Sequence, residues 1–156
     1  PRGQGVLQQW QTPFEEVKIG TGRVIREGQE LAVLTIGHIG NYAVEVCERL
    51  EKEGIRIGHY DMRFVKPLDE ALLHRIFRNY AKVITVEDGC IAGGFGSAVL
   101  EFMADQGYRA EVKRLGIPDA VIEHGEQLEL HDECGFGPKG IESSVRMMLE
   151  PVSRLA

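Results

Sequence analysis

From Gly22 onward, short runs of aliphatic and β-branched residues alternate with stretches whose apolar positions recur at helical spacing. GRVIREGQELAVLTIG predicts a short strand at Arg23–Arg26, a turn around Glu27–Glu30 and a buried strand at Leu31–Ile36. So short a connection makes these two strands antiparallel. Ala43, Val46, Cys47 and Leu50 then form one helical stripe, with Asn41 as the expected N-cap and Gly54 as the stop. IRIGHY is a strand, and Asp69 is placed to cap a second helix striped by Leu72, Leu73, Ile76 and Tyr80. KVITVE is a third core strand. A glycine-rich loop and a helix over Ser97–Gln106, carrying Val99, Leu100 and Met103, follow it. AEVKRLG gives the last strand, and two short helices are expected around Leu128–Cys134 and Pro138–Leu149. Pro138 suits a first helical position, where no N–H is needed.

Repeated strand–helix–strand alternation means parallel βαβ units, with helices on both faces of a sheet. The expected fold is α/β: a three-layer α/β/α domain with a five-stranded mixed sheet, the first strand antiparallel to the rest. Residues 1–20 lack periodicity and carry Gly3, Gly5, Pro13 and Gly20, so they are expected to be an arm or linker. The domain proper is then 21–150, with a tail at 151–156.

Composition narrows the function classes. The 156 residues suffice for one domain with a full core, and 43% apolar with 27% charged content is ordinary for a globular protein. A net charge of −6 without a basic stripe argues against nucleic acid. The longest apolar run, Leu31 to Ile36, is too short to span a bilayer, and there is no signal-peptide pattern. Cys47, Cys90 and Cys134 are odd in number and widely spaced, which suits a reducing cytoplasm better than a disulfide framework. The chain begins at proline, which leads us to expect a piece of a longer protein.

The candidate chemistry is sparse. EDGCIAGGFGSAV, Glu87 to Val99, packs three glycines into four positions after a strand. A dinucleotide fingerprint needs G-x-G-x-x-G, but Val99 stands where the last glycine belongs, and there is no GxxxxGK[ST]. The better expectation is that the glycines permit positive φ and close backbone approach, letting the next helix pack tightly. Cys90 lies near Glu87 and Asp88, whose charges disfavour a thiolate. His131 and Cys134 stand one helical turn apart in HDEC, but lack two further zinc ligands at any usual spacing. His38 falls at the carboxyl end of the first parallel strand, where α/β sheets often bind ligands, and His124 falls in a similarly placed loop. In DMRFVKPLDE, Arg63 and Lys66 fit either a connection whose bases pair with acidic surface or a docking segment.

Four segments converge on one family. PRGQG, MRFVKPLDEALL, VEDGCIAGGFGSAVLEFMAD and LGIPDAVIEHG stand in an order and spacing that resembles the C-terminal domain of the 1-deoxy-D-xylulose-5-phosphate synthase family. The resemblance runs from Pro1 to about Leu149 and implies a transketolase C-terminal fold. It implies a parent enzyme, a transferase, that joins pyruvate to D-glyceraldehyde 3-phosphate with loss of carbon dioxide, for isoprenoid and thiamine precursor synthesis. That enzyme uses thiamine diphosphate and Mg2+, held by two preceding domains of a homodimeric chain. This piece is then expected to bind no cofactor, hold no metal, carry no catalytic residue and be inert alone. One residue carries over to substrate: Arg2 of PRG would contact the phosphate of the aldehyde acceptor, which suits the planar guanidinium fork. The chain departs from the family pattern at Glu87-Asp88-Gly89, where Glu-Glu-Asn is common, and at HDECGFGPKG.

Two rival functions remain open at this point. One is the equivalent β-subunit domain of a thiamine-dependent 2-oxoacid dehydrogenase or another transketolase-like protein. The other is a stand-alone small-molecule-binding module using the strand ends near His38, Asp61, Glu87 and Gly116.

Overall fold

The computed structural model describes residues 15–150. Five strands, β1 (Arg23–Arg26), β2 (Ala32–Thr35), β3 (Gly58–Asp61), β4 (Lys82–Cys90) and β5 (Glu111–Ile117), form one sheet in the order β1-β3-β2-β4-β5. β1 is antiparallel to β3, and all other pairings are parallel. The helices are α1 (Gly40–Lys52), α2 (Glu70–Asn79), α3 (Phe95–Asp105), α4 (Gln127–Glu133) and α5 (Pro138–Leu149). The expected three-layer α/β/α fold and antiparallel first strand are both present.

Side-chain alternation along the strands builds two cores. Leu31, Val33, Ile84 and Val86 face one side, where they pack with Ala43, Val46 and Leu50 of α1 and Ile141 and Val145 of α5. Ala32, Leu34 and Val83 face the other, against Leu73 and Ile76 of α2 and Val99 and Phe102 of α3. β2 and the first half of β4 therefore need cover on both faces, as expected for central parallel strands.

Several local expectations shift, each for a physical reason. β1 and β2 run antiparallel but do not pair, because β3 lies between them. β2 is wholly buried while β1 is largely exposed, so β2 takes the centre and the arginine-bearing strand takes the edge. The connecting turn crosses the start of β3: Gln29 N–H donates to the Arg56 carbonyl (2.9 Å), and a Cβ on Gly28 would lie 1.9 Å from the Gly58 nitrogen. The Tyr80 hydroxyl closes that crossing through 3.0 Å contacts with the Gly28 N–H and carbonyl. α1 starts at Gly40 with Ile39 at the N-cap rather than Asn41, because a 3₁₀ turn, Gly37–Ile39, runs straight into it. Asp69 caps α2 as expected, accepting Leu72 N–H at 2.9 Å; its second oxygen accepts Gly22 N–H at 2.8 Å and so fastens the start of β1. Pro138 opens α5.

Candidate functional site

The carboxyl ends of the strands carry the chemistry. β2 connects through α1 to β3 on one side, whereas β4 connects through α3 to β5 on the other. The crevice between the carboxyl ends of β2 and β4 is therefore the topological switch point, where open α/β sheets take ligands. His38 stands just beyond β2, and Glu87 and Asp88 lie in the last residues of β4.

β4 runs further than expected, to Cys90, and its register with β5 shifts between Val86 and Cys90. Strand alternation across this irregularity sends Glu87 and Asp88 to opposite sides. Glu87, only 5% exposed, turns toward α3 and accepts the backbone N–H groups of Phe95 (2.7 Å) and Gly96 (2.8 Å). A carboxylate thus occupies the helix N-terminus where a phosphate would otherwise sit. Other groups of the glycine loop also find partners within the domain. Gly93 N–H donates to Ser97 Oγ (3.0 Å), and Arg114 reaches both the Ile91 carbonyl (2.6 Å) and Ser97 Oγ (2.8 Å).

The glycines divide the two expected roles between them. Gly93 takes a φ of 77° in open space. Gly94 has an ordinary φ of −86°, but a Cβ there would lie 2.1 Å from Glu87 Oε2 and 2.2 Å from the Cys90 carbonyl. At Gly96 a Cβ would lie 2.5 Å from Thr85 Oγ1, so α3 does sit unusually close to the sheet.

Asp88 turns the other way, toward α4. Its Oδ2 lies 3.6 Å from His38 Nε2 and 3.8 Å from His131 Nε2. All three ligand-type atoms fall within 4.8 Å of one another. His131 is 6% exposed and packs on Phe136 at a ring-centroid distance of 4.7 Å, while its Nδ1 lies 3.3 Å from the Tyr42 hydroxyl. Burial holds its pKa below the usual histidine value; nearby Asp88 opposes that shift and His38 adds to it. His38 Nε2 is buried with no hydrogen-bond partner. A cleft of about 800 Å3 opens beside the cluster, lined by Asp88, His131, His124, Glu123, Leu130 and Cys134 among others. Burial, with the nearby Glu133 and Asp88 charges, raises the Cys134 pKa.

Sequence spacing pairs His131 only with Cys134, but in the fold its neighbours are His38 and Asp88, 93 and 43 positions away. The one signal within reach was topological: residues ending β2 and β4 flank the switch point. Of the other strand-end candidates, Asp61 pairs with Arg23 (3.1 Å) and accepts Arg63 N–H, and Gly116 packs on Gly89 and Glu87. Cys90 is an exposed free cysteine. Arg63 and Lys66 make no ion pair among the described residues. Arg2 lies outside the described residues.

The chain matches the family model described as transketolase, C-terminal domain, over residues 20–141. It is 60% identical over 146 residues, 94% of its length, to 1-deoxy-D-xylulose-5-phosphate synthase of Cytophaga hutchinsonii, and 50% identical over 142 residues to that of Bacteroides fragilis. It spans 23% and 22% of those two proteins. Among solved structures it resembles a chain described as split gene transketolase, inactive beta4 tetramer, with a TM-score of 0.78, 29% identity, and coverage of 90% of this chain and 45% of that one. A transketolase from Campylobacter jejuni, 20% identical with a TM-score of 0.57, shares the fold; the match covers 86% of this chain and 19% of that one.

Proposed function

The chain belongs to the transketolase C-terminal domain family, and on that premise we propose that it is the C-terminal domain of a 1-deoxy-D-xylulose-5-phosphate synthase. The observation that carries this is the 60% identity to one such enzyme along 94% of the chain. The parent enzyme joins pyruvate to D-glyceraldehyde 3-phosphate with decarboxylation, as a cytoplasmic homodimer. Thiamine diphosphate would supply the carbanion that attacks the aldehyde. The described residues offer its diphosphate no cradle in the glycine loop, because Glu87 already takes the Phe95 and Gly96 N–H groups. In this reading the cofactor and Mg2+ are held by the two preceding domains of the parent chain, as the family resemblance implies. This domain's part is to dock against them, with Val17 and Ile19, 48% and 73% exposed, at the entry to the fold. That a neighbour sharing 29% identity is described as inactive supports a domain inert by itself.

A 2-oxoacid dehydrogenase origin is the weaker reading, since the curated relatives at 41–60% identity carry the synthase name. The test has two arms. The complete parent protein, given pyruvate, glyceraldehyde 3-phosphate, thiamine diphosphate and Mg2+, should release carbon dioxide and form the five-carbon sugar phosphate. The 156-residue chain alone should give no saturable calorimetric heat with thiamine diphosphate and Mg2+. A parent that decarboxylates pyruvate without using the aldehyde would refute the synthase reading. Saturable cofactor heat from the chain alone would refute its inertness.

A further inference from the structure

We propose that His38, Asp88 and His131 form a binding site for one divalent transition-metal ion of the zinc class. Two imidazole nitrogens and one carboxylate oxygen, converging from the β2–α1 turn, the end of β4 and α4, are a ligand set suited to such ions and not to Mg2+, which prefers an all-oxygen shell. With separations of 3.6 and 3.8 Å to Asp88 Oδ2, and no pair beyond 4.8 Å, an ion between them sits within a few tenths of an ångström of zinc–ligand distances of ~2.0–2.2 Å.

Two features beyond proximity point to an ion. His38 Nε2 is a buried nitrogen without a hydrogen-bond partner, and a metal would satisfy it. The Tyr42 hydroxyl, 3.3 Å from His131 Nδ1, is placed to accept that N–H and turn Nε2 toward Asp88, the usual outer-shell arrangement for a metal-binding histidine. The open cleft beside the cluster leaves room for water or a small anion in the remaining coordination positions. This site owes nothing to the parent enzyme's identity, because it uses only residues of this domain.

The test is calorimetric titration of the chelator-treated 156-residue chain with zinc chloride at pH 7.5, with melting curves alongside. One ion per chain is expected, with a Kd on the order of micromolar or tighter and no heat from magnesium. At a free zinc concentration 100-fold above Kd, the melting temperature should rise by about 5–10 °C. His38→Ala and Asp88→Asn should each weaken zinc binding at least tenfold. Both sites are partly exposed, so these variants keep the test alive if His131→Ala fails to fold. His124→Ala and Cys134→Ser, in the same cleft, should leave the affinity unchanged. Absence of saturable zinc heat overturns the site, as does binding that survives His38→Ala and Asp88→Asn but is lost in Cys134→Ser.

Discussion

Glu87 Oε1 lies 2.8 Å from the backbone nitrogen of Gly96, and the other oxygen of the same carboxylate lies 2.7 Å from that of Phe95. The buried end of β4 thus caps the helix that follows it. Glu87→Ala would leave two buried donors without an acceptor and a helix terminus without its anion. The expected loss is about 2–4 kcal/mol, read by urea denaturation. Glu87→Gln, which keeps one acceptor but sets an amide against the second N–H, should fall between. A Glu87→Ala variant within 0.5 kcal/mol of wild type, on the order of a neutral surface change, would show that the cap contributes little.

Gly93 and Gly94 should respond differently to alanine. Gly93→Ala meets open space but a left-handed φ, so it should cost about 1 kcal/mol. Gly94→Ala has no such strain; its Cβ would instead drive against Glu87 and the Cys90 carbonyl, neither of which yields without disturbing the cap. We expect a loss of about 2 kcal/mol or more, greater again for Gly94→Val. Equal costs at the two positions would rule out close approach as the reason for Gly94.

Acid should destabilise the domain partly through His59. It is 1% exposed, its Nε2 lies 2.9 Å from Thr35 Oγ1, and burial depresses its pKa to about 4, helped by the Arg23 and Arg26 charges. The unfolded chain takes up the proton near pH 6.5, the folded one only near pH 4. Stability is therefore fully present above about pH 6.5 and is lost as pH falls toward 4, with no further loss from this group below that. The contribution is about 3 kcal/mol. His59→Leu should flatten the stability profile between pH 6.5 and 4 by that amount, whatever its stability at neutral pH. Parallel wild-type and variant profiles would assign the acid sensitivity elsewhere.

Arg2 is the proposed contact to the acceptor phosphate in the parent enzyme. Loss of one charge-assisted contact costs ~1.5–3 kcal/mol, so Arg2→Ala should lower kcat/KM for glyceraldehyde 3-phosphate by roughly 10- to 150-fold. An unphosphorylated aldehyde should be affected far less, and pyruvate hardly at all. Equal losses with both aldehydes would mean that Arg2 serves structure.

What was legible in the sequence is what neighbouring residues decide among themselves. Apolar spacing gave the strands and helices, Asp69 announced its cap, Pro138 its helix start, and the Gly94–Gly96 pair a close packing. The partner of β1 was not legible, because a strand's place in a sheet depends on which other strands need cover on both faces, a property of the whole core. Alternation along β4 puts Glu87 and Asp88 on opposite faces, but which helix ends they meet depends on where α3 and α4 pack against the sheet. The meeting of His38, Asp88 and His131 depends on the strand order that makes β2 and β4 neighbours, and on α4 returning across the strand ends. Local sequence sets backbone dihedrals and amphipathic faces; strand order and crossover direction set which distant side chains share a crevice.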